Sequence, residues 1–89
     1  MRIVTIYVNG VKHLSFNIPD TNNQMRILQC ESTIEGILSE CKERYGKPLF
    51  KSGDLDHFED VGSRIIYLFF DEVSHHVKFI EIYTMYENI

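Results

Sequence analysis

The sequence has little of what marks disordered, disulfide-rich or metal-stabilised chains. Its 89 residues include two prolines, five glycines, two cysteines and no tryptophan. So little proline and glycine argues against disorder or low complexity. Cys30 and Cys41 are too few for a disulfide framework, and they lack the close spacing of a zinc knuckle. We therefore expect an intracellular protein in a reducing compartment that folds without disulfides, metal or cofactor.

Long apolar runs and excess positive charge are also absent. No run approaches the ~20 apolar residues that a bilayer span requires, and the N-terminus does not read as a secretory signal peptide. The formal net charge is −4 and the sequence pI is about 5.4. An acidic domain gains no overall attraction to nucleic acid or anionic lipid. We expect one cytoplasmic domain over residues 1–89, with neither nucleic acid nor membrane as a partner.

The clearest structural signal is Asn9-Gly10, which lies between apolar runs at residues 3–8 and 11–18. Asn-Gly supplies the two positive-φ positions of a type I′ turn, so the chain is predicted to open as a β-hairpin. The first run is apolar on both faces, which favours a central strand. The second run alternates, which is typical of a strand with one exposed face.

One amphipathic helix is predicted over residues 33–45. Ser32 and Glu35 have the spacing of a capping box, and Gly46 followed by Pro48 is typical of a helix end. The apolar stripe predicts that Leu38 faces the sheet beside Ile34 and Cys41, with Cys41 a small buried hydrophobe. The sequence leaves two alternatives for residues 25–30: they extend the second strand, or they form an irregular segment that leads into the helix.

The second half of the chain is predicted to form further strands at residues 49–51, 64–70 and 77–83. The strand at 64–70 is apolar on both faces and is expected in the middle of the sheet. Leu55, Phe58 and Val61 recur every third residue, which indicates a single helical or 3₁₀ turn that packs them inward. Residues 84–89 are expected to be a loosely held tail.

Together these elements predict an α+β fold of the ubiquitin-like β-grasp type. It would have an N-terminal hairpin, one main helix and a mixed sheet of four to five strands. Such a fold hosts many unrelated roles, so function has to be argued from the surface.

Catalytic and metal-binding motifs are absent from the sequence. It contains neither a nucleophile elbow nor a phosphate-binding loop. His75 and His76 are adjacent, so on a strand their imidazoles would point to opposite faces and would not share one metal ion. We therefore expect a protein that is not an enzyme, with no metal site.

Charged residues are segregated along the chain. A basic interaction patch is predicted from the helix end into the third strand: Lys42, Arg44, Lys47 and Lys51. An acidic interaction patch is predicted directly after it: Asp54, Asp56, Glu59 and Asp60. A domain with both patches can pair head to tail with itself or with relatives, so weak self-association is one expectation. The alternative is that these charges simply occupy solvated connections.

Several segments resemble the doublecortin domain: IYVNG at 6–10, IEGILSE at 34–40, LFKSGD at 49–54, and residues 55–61, 65–67 and 71–79. That family has a ubiquitin-like fold and commonly binds microtubules. The resemblance implies a protein–protein interaction module in a cytoskeletal setting, with tubulin or a cytoskeletal scaffold as its partner. Members that bind microtubules are generally basic, whereas this chain is acidic. Contact with an acidic partner would therefore depend on the basic patch.

A looser similarity links the chain to the Phox-and-Bem interaction domain, which pairs basic with acidic faces. Its acidic motif is echoed at residues 54–60. This similarity implies the alternative function, a small acidic interaction or inhibitor protein that is unrelated to microtubules.

Overall fold

The chain opens with the predicted hairpin. In the computed structural model, which describes residues 1–21 and 23–87, strand β1 spans Arg2–Val8 and strand β2 spans Val11–Ile18. The two strands pair antiparallel, and Asn9 and Gly10 form the turn with φ of 50° and 79°. Both residues thus adopt the positive φ values that the Asn-Gly sequence predicts for this turn.

Helix α1 spans Gln24–Tyr45 and is much longer than predicted. Its C-terminal end agrees with the prediction, because the Gly46 N–H donates to the Lys42 carbonyl at 2.9 Å. Its N-terminal end does not, since the predicted capping residue Ser32 lies exposed within the helix. The apolar stripe explains the difference, because Ile27 and Cys30 continue the spacing of Ile34 toward the N-terminus. Residues 25–30 are therefore helical.

Three further strands complete the sheet: β3 at Phe50–Ser52, β4 at Arg64–Asp71 and β5 at His76–Tyr86. The strand order is β2-β1-β5-β4-β3, and every pair is antiparallel. The α+β class, the single main helix and the five strands agree with the prediction. The prediction of a mixed sheet is wrong, because β1 runs antiparallel to β5.

The C-terminal segment is part of the sheet. Strand β5 continues through Tyr86, and the fully buried Thr84 donates its hydroxyl to the Phe58 carbonyl. The prediction of a loose tail is therefore wrong for residues 84–86, while residues 88–89 lie outside the described part of the chain. The predicted short turn is a 3₁₀ helix at Leu55–His57, followed by the buried Phe58. Val61 was predicted to pack inward but is 49% exposed.

The core lies between α1 and one face of the sheet. Leu38 is 3% exposed and lies in the core cluster with Ile34 and Cys41, as the helical stripe predicted. Alternate residues of the strands complete it, among them Ile6 of β1 and Phe69 of β4, both fully buried. Because α1 covers only one face, residues between these positions point to the other face of the sheet.

Candidate interaction surfaces

The structure divides the predicted basic patch into two parts. Lys42, Lys47 and Lys51 line one groove, together with Gly46, Pro48 and Tyr67. Arg44 instead lines a different depression, between α1 and the strands, where it neighbours Val8 and Ile80. The helix explains this separation, because residues two apart project to different sides of an α-helix.

We call this depression the lysine groove; it is lined by Lys42, Gly46, Lys47, Pro48, Lys51 and Tyr67. The end of α1 positions Lys42, the loop after Gly46 positions Lys47, and the edge strand β3 positions Lys51. Tyr67 of β4 is buried and forms the groove floor, with the Lys51 ammonium 5.7 Å from the centre of its ring. All three lysines are exposed, and the groove lining contains no acidic residue. This local positive charge contrasts with the net charge of −4 for the whole chain.

The predicted acidic patch is centred on the 3₁₀ helix. His57 lies between two of its carboxylates, with Nε2 3.8 Å from an Asp54 oxygen and Nδ1 3.6 Å from an Asp60 oxygen. Asp54 also accepts a hydrogen bond from the Asp56 amide at 3.0 Å, which caps the short helix. Asp54, Asp56 and Asp60 are thus neighbours, and the carboxylate of Asp54 also stabilises the local turn.

Glu59 is set apart from these three aspartates by its partial burial. Its backbone carbonyl accepts a hydrogen bond from the Arg2 guanidinium at 3.0 Å, which ties the segment to strand β1. The acidic patch is therefore a group of three exposed carboxylates beside one structural residue.

Both cysteine thiols are buried in environments that suppress their reactivity. Cys30 is fully buried, and burial raises the pKa of its thiol to about 12. Burial also raises the pKa of the Cys41 thiol, although Lys78 partly opposes this shift. Thiols are nucleophilic as thiolates, so both remain unreactive at neutral pH. In residues 1–21 and 23–87, no group of three metal-ligating side chains is placed to hold an ion.

The two adjacent histidines lie at the tight connection between β4 and β5. His75 has a φ of 62°, and its ring packs 6.2 Å from that of Phe70. Asp71 stabilises this turn by accepting hydrogen bonds from the amides of Val73 and Ser74. A hydrogen bond from the Ser74 hydroxyl is the main cause of the lowered pKa of Asp71. These residues organise the turn that leads into β5.

Sequence reasoning missed a large apolar surface on the sheet face opposite α1. In strand β4, the buried Ile65, Tyr67 and Phe69 alternate with partly exposed apolar residues. The registers of β3 and β5 place further apolar side chains beside these, which defines the open face: Phe50, Ile66, Leu68, Phe70, Val77 and Phe79. The signal was present in the sequence as strand 64–70, which is apolar on both faces.

Comparisons with other proteins return no relative for this chain. No protein-family model, no curated protein and no solved structure matches it. Across residues 1–21 and 23–87, no helix has the length and apolar character to cross a membrane.

Proposed function

We propose that this chain is a non-catalytic protein–protein interaction module that binds acidic segments of a protein partner through the lysine groove. The observation that carries this proposal is the convergence of Lys42, Lys47 and Lys51 from three different elements on one aromatic-floored groove. An acidic protein has no general attraction for a polyanion, so binding depends on such a local concentration of positive charge.

The shape of the groove favours an extended acidic segment. Its walls carry lysine ammonium groups on flexible side chains, which can donate hydrogen bonds to carboxylates without requiring a fixed bidentate geometry. Beside the buried Tyr67, the partly exposed Pro48 offers apolar contact to the methylene groups of glutamate side chains. Charge pairs at an exposed site contribute little individually, about 0–1 kcal/mol each. Binding is therefore weak for a single groove and depends strongly on salt.

A cytoplasmic, cytoskeletal setting remains part of this proposal. Tubulin is the acidic partner that the resemblance to doublecortin domains implies, and the lysine groove retains three of the four residues predicted for such contact. The order of hairpin, helix and strands supports grouping the chain with ubiquitin-like folds. The antiparallel pairing of β1 with β5 argues against that grouping.

The direct test measures binding of a labelled polyglutamate peptide by fluorescence anisotropy, with a polyglutamine peptide as the uncharged control. Measurements at about 20 mM and about 150 mM salt span a Debye length from about 20 Å to about 8 Å. We expect polyglutamate to bind at low salt, weaken several-fold at high salt, and polyglutamine not to bind. Absence of polyglutamate binding at low salt contradicts the proposal.

Co-sedimentation with assembled microtubules at the same salt concentrations tests the cytoskeletal setting separately. Binding of both peptide and microtubules supports the full proposal. Peptide binding without co-sedimentation retains the acidic partner and rejects tubulin. If neither binds, the Phox-and-Bem-like alternative becomes the better hypothesis, with a basic partner at Asp54, Asp56 and Asp60.

A further inference from the structure

The depression that Arg44 lines lies between the C-terminal half of α1 and strands β1, β2 and β5, and we call it the α1–β5 pocket. Its volume is about 280 Å³. The lining includes one apolar side chain from each of three elements, Val8, Ile37 and Ile80, and one basic side chain from each of three elements, His13, Arg44 and Lys78. None of its lining residues belongs to the lysine groove. The pocket therefore combines an apolar part with a separate set of basic groups.

Lys78 lies on the face of β5 that otherwise contributes to the core. Its partner in the β4–β5 register is the fully buried Phe69, and the next residue of β5 on the same face is the buried Ile80. Directly opposite residues of paired strands project to the same face of a sheet. Lys78 is partly buried there, and across residues 1–21 and 23–87 no carboxylate lies within 4.0 Å of its ammonium. Burying a charge costs free energy unless the charge is paired, so this position favours an anion from solution.

Arg44 brings a second positive charge to the pocket from the last turn of α1. Its guanidinium lies 5.6 Å from the centre of the Tyr45 ring, a distance at which a cation and an aromatic face attract each other. Within the described part of the chain, this guanidinium also has no carboxylate within 4.0 Å. A guanidinium presents a planar fork of N–H donors that fits a carboxylate.

The acidic groups near these two cations leave the pocket positive. Arg44 and Lys78 carry two positive charges, and the exposed Glu40 adds one negative charge to the lining, so these three side chains sum to +1. Asp71 has its pKa lowered mainly by the Ser74 hydroxyl and to a smaller extent by Arg44. Its carboxylate accepts hydrogen bonds from turn amides, and it does not line the pocket.

A β-bulge brings His13 to the same pocket. In the β1–β2 register Ile6 pairs with Leu14. The next residue of β1, Tyr7, pairs with Lys12, so His13 has no partner in β1. Strict alternation would place His13 and its core-packed neighbour Leu14 on opposite faces, but an extra residue in a strand often re-aims a side chain beside a functional site. His13 accordingly lines the pocket and supplies a further hydrogen-bonding group.

We propose that the α1–β5 pocket binds a small amphiphilic carboxylate, with its anionic head group beside Arg44 and Lys78 and a short apolar tail against Val8, Ile37 and Ile80. The volume limits the ligand, because pockets for drug-sized molecules have about 300–1,000 Å³ and this one lies just below that range. The head group alone gains little at a partly exposed site, so binding also requires the burial of the tail. This inference does not rest on the proposed function, because the two surfaces share no residue.

The probe is hexanoate, titrated into the full chain and followed by the backbone amide shifts in NMR spectra. Acetate retains the head group without the tail, and 1-hexanol retains the tail without the charge. We expect hexanoate to bind saturably with a dissociation constant on the order of a millimolar, and 1-hexanol to bind at least about fivefold more weakly. Acetate should show no saturable binding over the same range. Nuclear Overhauser contacts should join the hexanoate methyl group to Ile37 and Ile80.

Lys78→Gln and Arg44→Gln test the head-group contacts. Lys12→Gln is the matched control, because Lys12 is exposed outside the pocket lining and its loss changes the net charge equally. We expect each pocket variant to weaken hexanoate binding about three- to tenfold and the control to weaken it less than about twofold. Binding of 1-hexanol and the unfolding temperature should stay the same in all three variants, which separates loss of a charge contact from damage to the pocket.

Four results would overturn the proposal. Hexanoate shifts that do not saturate by about 20 mM mean that the pocket does not bind the probe. Equal affinities for hexanoate and 1-hexanol mean that the charge is not recognised, and equal affinities for hexanoate and acetate mean that the tail is not. Equal losses in the pocket and control variants, or shifts centred on Lys47 and Tyr67, place binding elsewhere.

Discussion

The ammonium of Lys51 lies over the ring of Tyr67, 5.7 Å from its centre, and joins the edge strand β3 to the floor of the lysine groove. The two residues are direct partners in the β3–β4 register, so backbone pairing sets their proximity. A cation at this distance from an aromatic face is attracted to it. This contact holds one wall of the groove in place without neutralising its charge.

Replacing Leu38 tests the packing of α1 on the sheet. Leu38→Ala is expected to lower the free energy of unfolding by about 2–5 kcal/mol, because it removes a buried side chain and leaves a cavity. Leu28→Ala is the matched control on the same helix, since Leu28 is 50% exposed. Urea denaturation of both variants gives the comparison. A loss below about 1 kcal/mol for Leu38→Ala contradicts the burial described here.

Ser32→Ala distinguishes the observed helix from the one that the capping box predicted. Ser32 is exposed within α1, so alanine should leave stability unchanged or raise it by up to about 0.5 kcal/mol through its higher helix propensity. Thermal unfolding followed by circular dichroism measures this difference. A loss of about 1 kcal/mol would restore Ser32 as an N-cap and would contradict the start of α1 at Gln24.

Two glycine substitutions are expected to have opposite effects. Gly36 lies in α1 with open space where a Cβ would be, so Gly36→Ala should stabilise the fold by about 0.4–1 kcal/mol. Gly53 has a φ of 93°, and a Cβ there would lie 2.8 Å from the Arg64 carbonyl oxygen. Gly53→Ala should therefore destabilise the fold. Denaturant unfolding of the pair checks both signs, and equal effects would contradict the local geometry.

Cys30 gives the fold a defined sensitivity to alkaline pH. Its thiol pKa is raised by burial from an ordinary 9.0 to about 12, so the unfolded chain loses this proton at lower pH than the folded chain does. The associated stability is complete below pH 9 and is lost between pH 9 and about 12, with a limiting slope of about 1.4 kcal/mol per pH unit. Cys30→Ala should show a shallower decline in stability between pH 9 and 11. Identical slopes for the two proteins would contradict the burial of this thiol.

Local signals predicted much of the fold. Asn9-Gly10 specified its own turn, and the helix end at Gly46 followed from residues within a few positions of it. The helix start was misplaced because Ser32 and Glu35 satisfy a capping pattern inside a longer apolar stripe. The observed N-cap is Asn23, a residue type that is favoured there, but it makes no side-chain capping hydrogen bond and lacks the paired spacing of a capping box. The direction of β5 against β1 depends on pairing between distant segments, which periodicity does not encode.

The candidate surfaces were predicted only in part. Sequence proximity grouped Arg44 with Lys42, although a two-residue separation on a helix already implies different sides. Lys51 joined the groove because β3 returns beside the end of α1, a tertiary relationship. The open face was not predicted, because a strand that is apolar on both sides indicates only a position in the middle of the sheet. A single helix covers only one of the two sides.

The most direct test of the proposed interaction compares two double charge reversals in the polyglutamate titration at low salt. Lys47→Glu with Lys51→Glu alters the lysine groove, whereas Lys12→Glu with Arg44→Glu changes the net charge equally at exposed sites outside it. We predict at least a tenfold loss of affinity for the groove variant and less than a threefold loss for the control, with similar unfolding temperatures. Equal losses, or no loss in either, would contradict binding through the lysine groove.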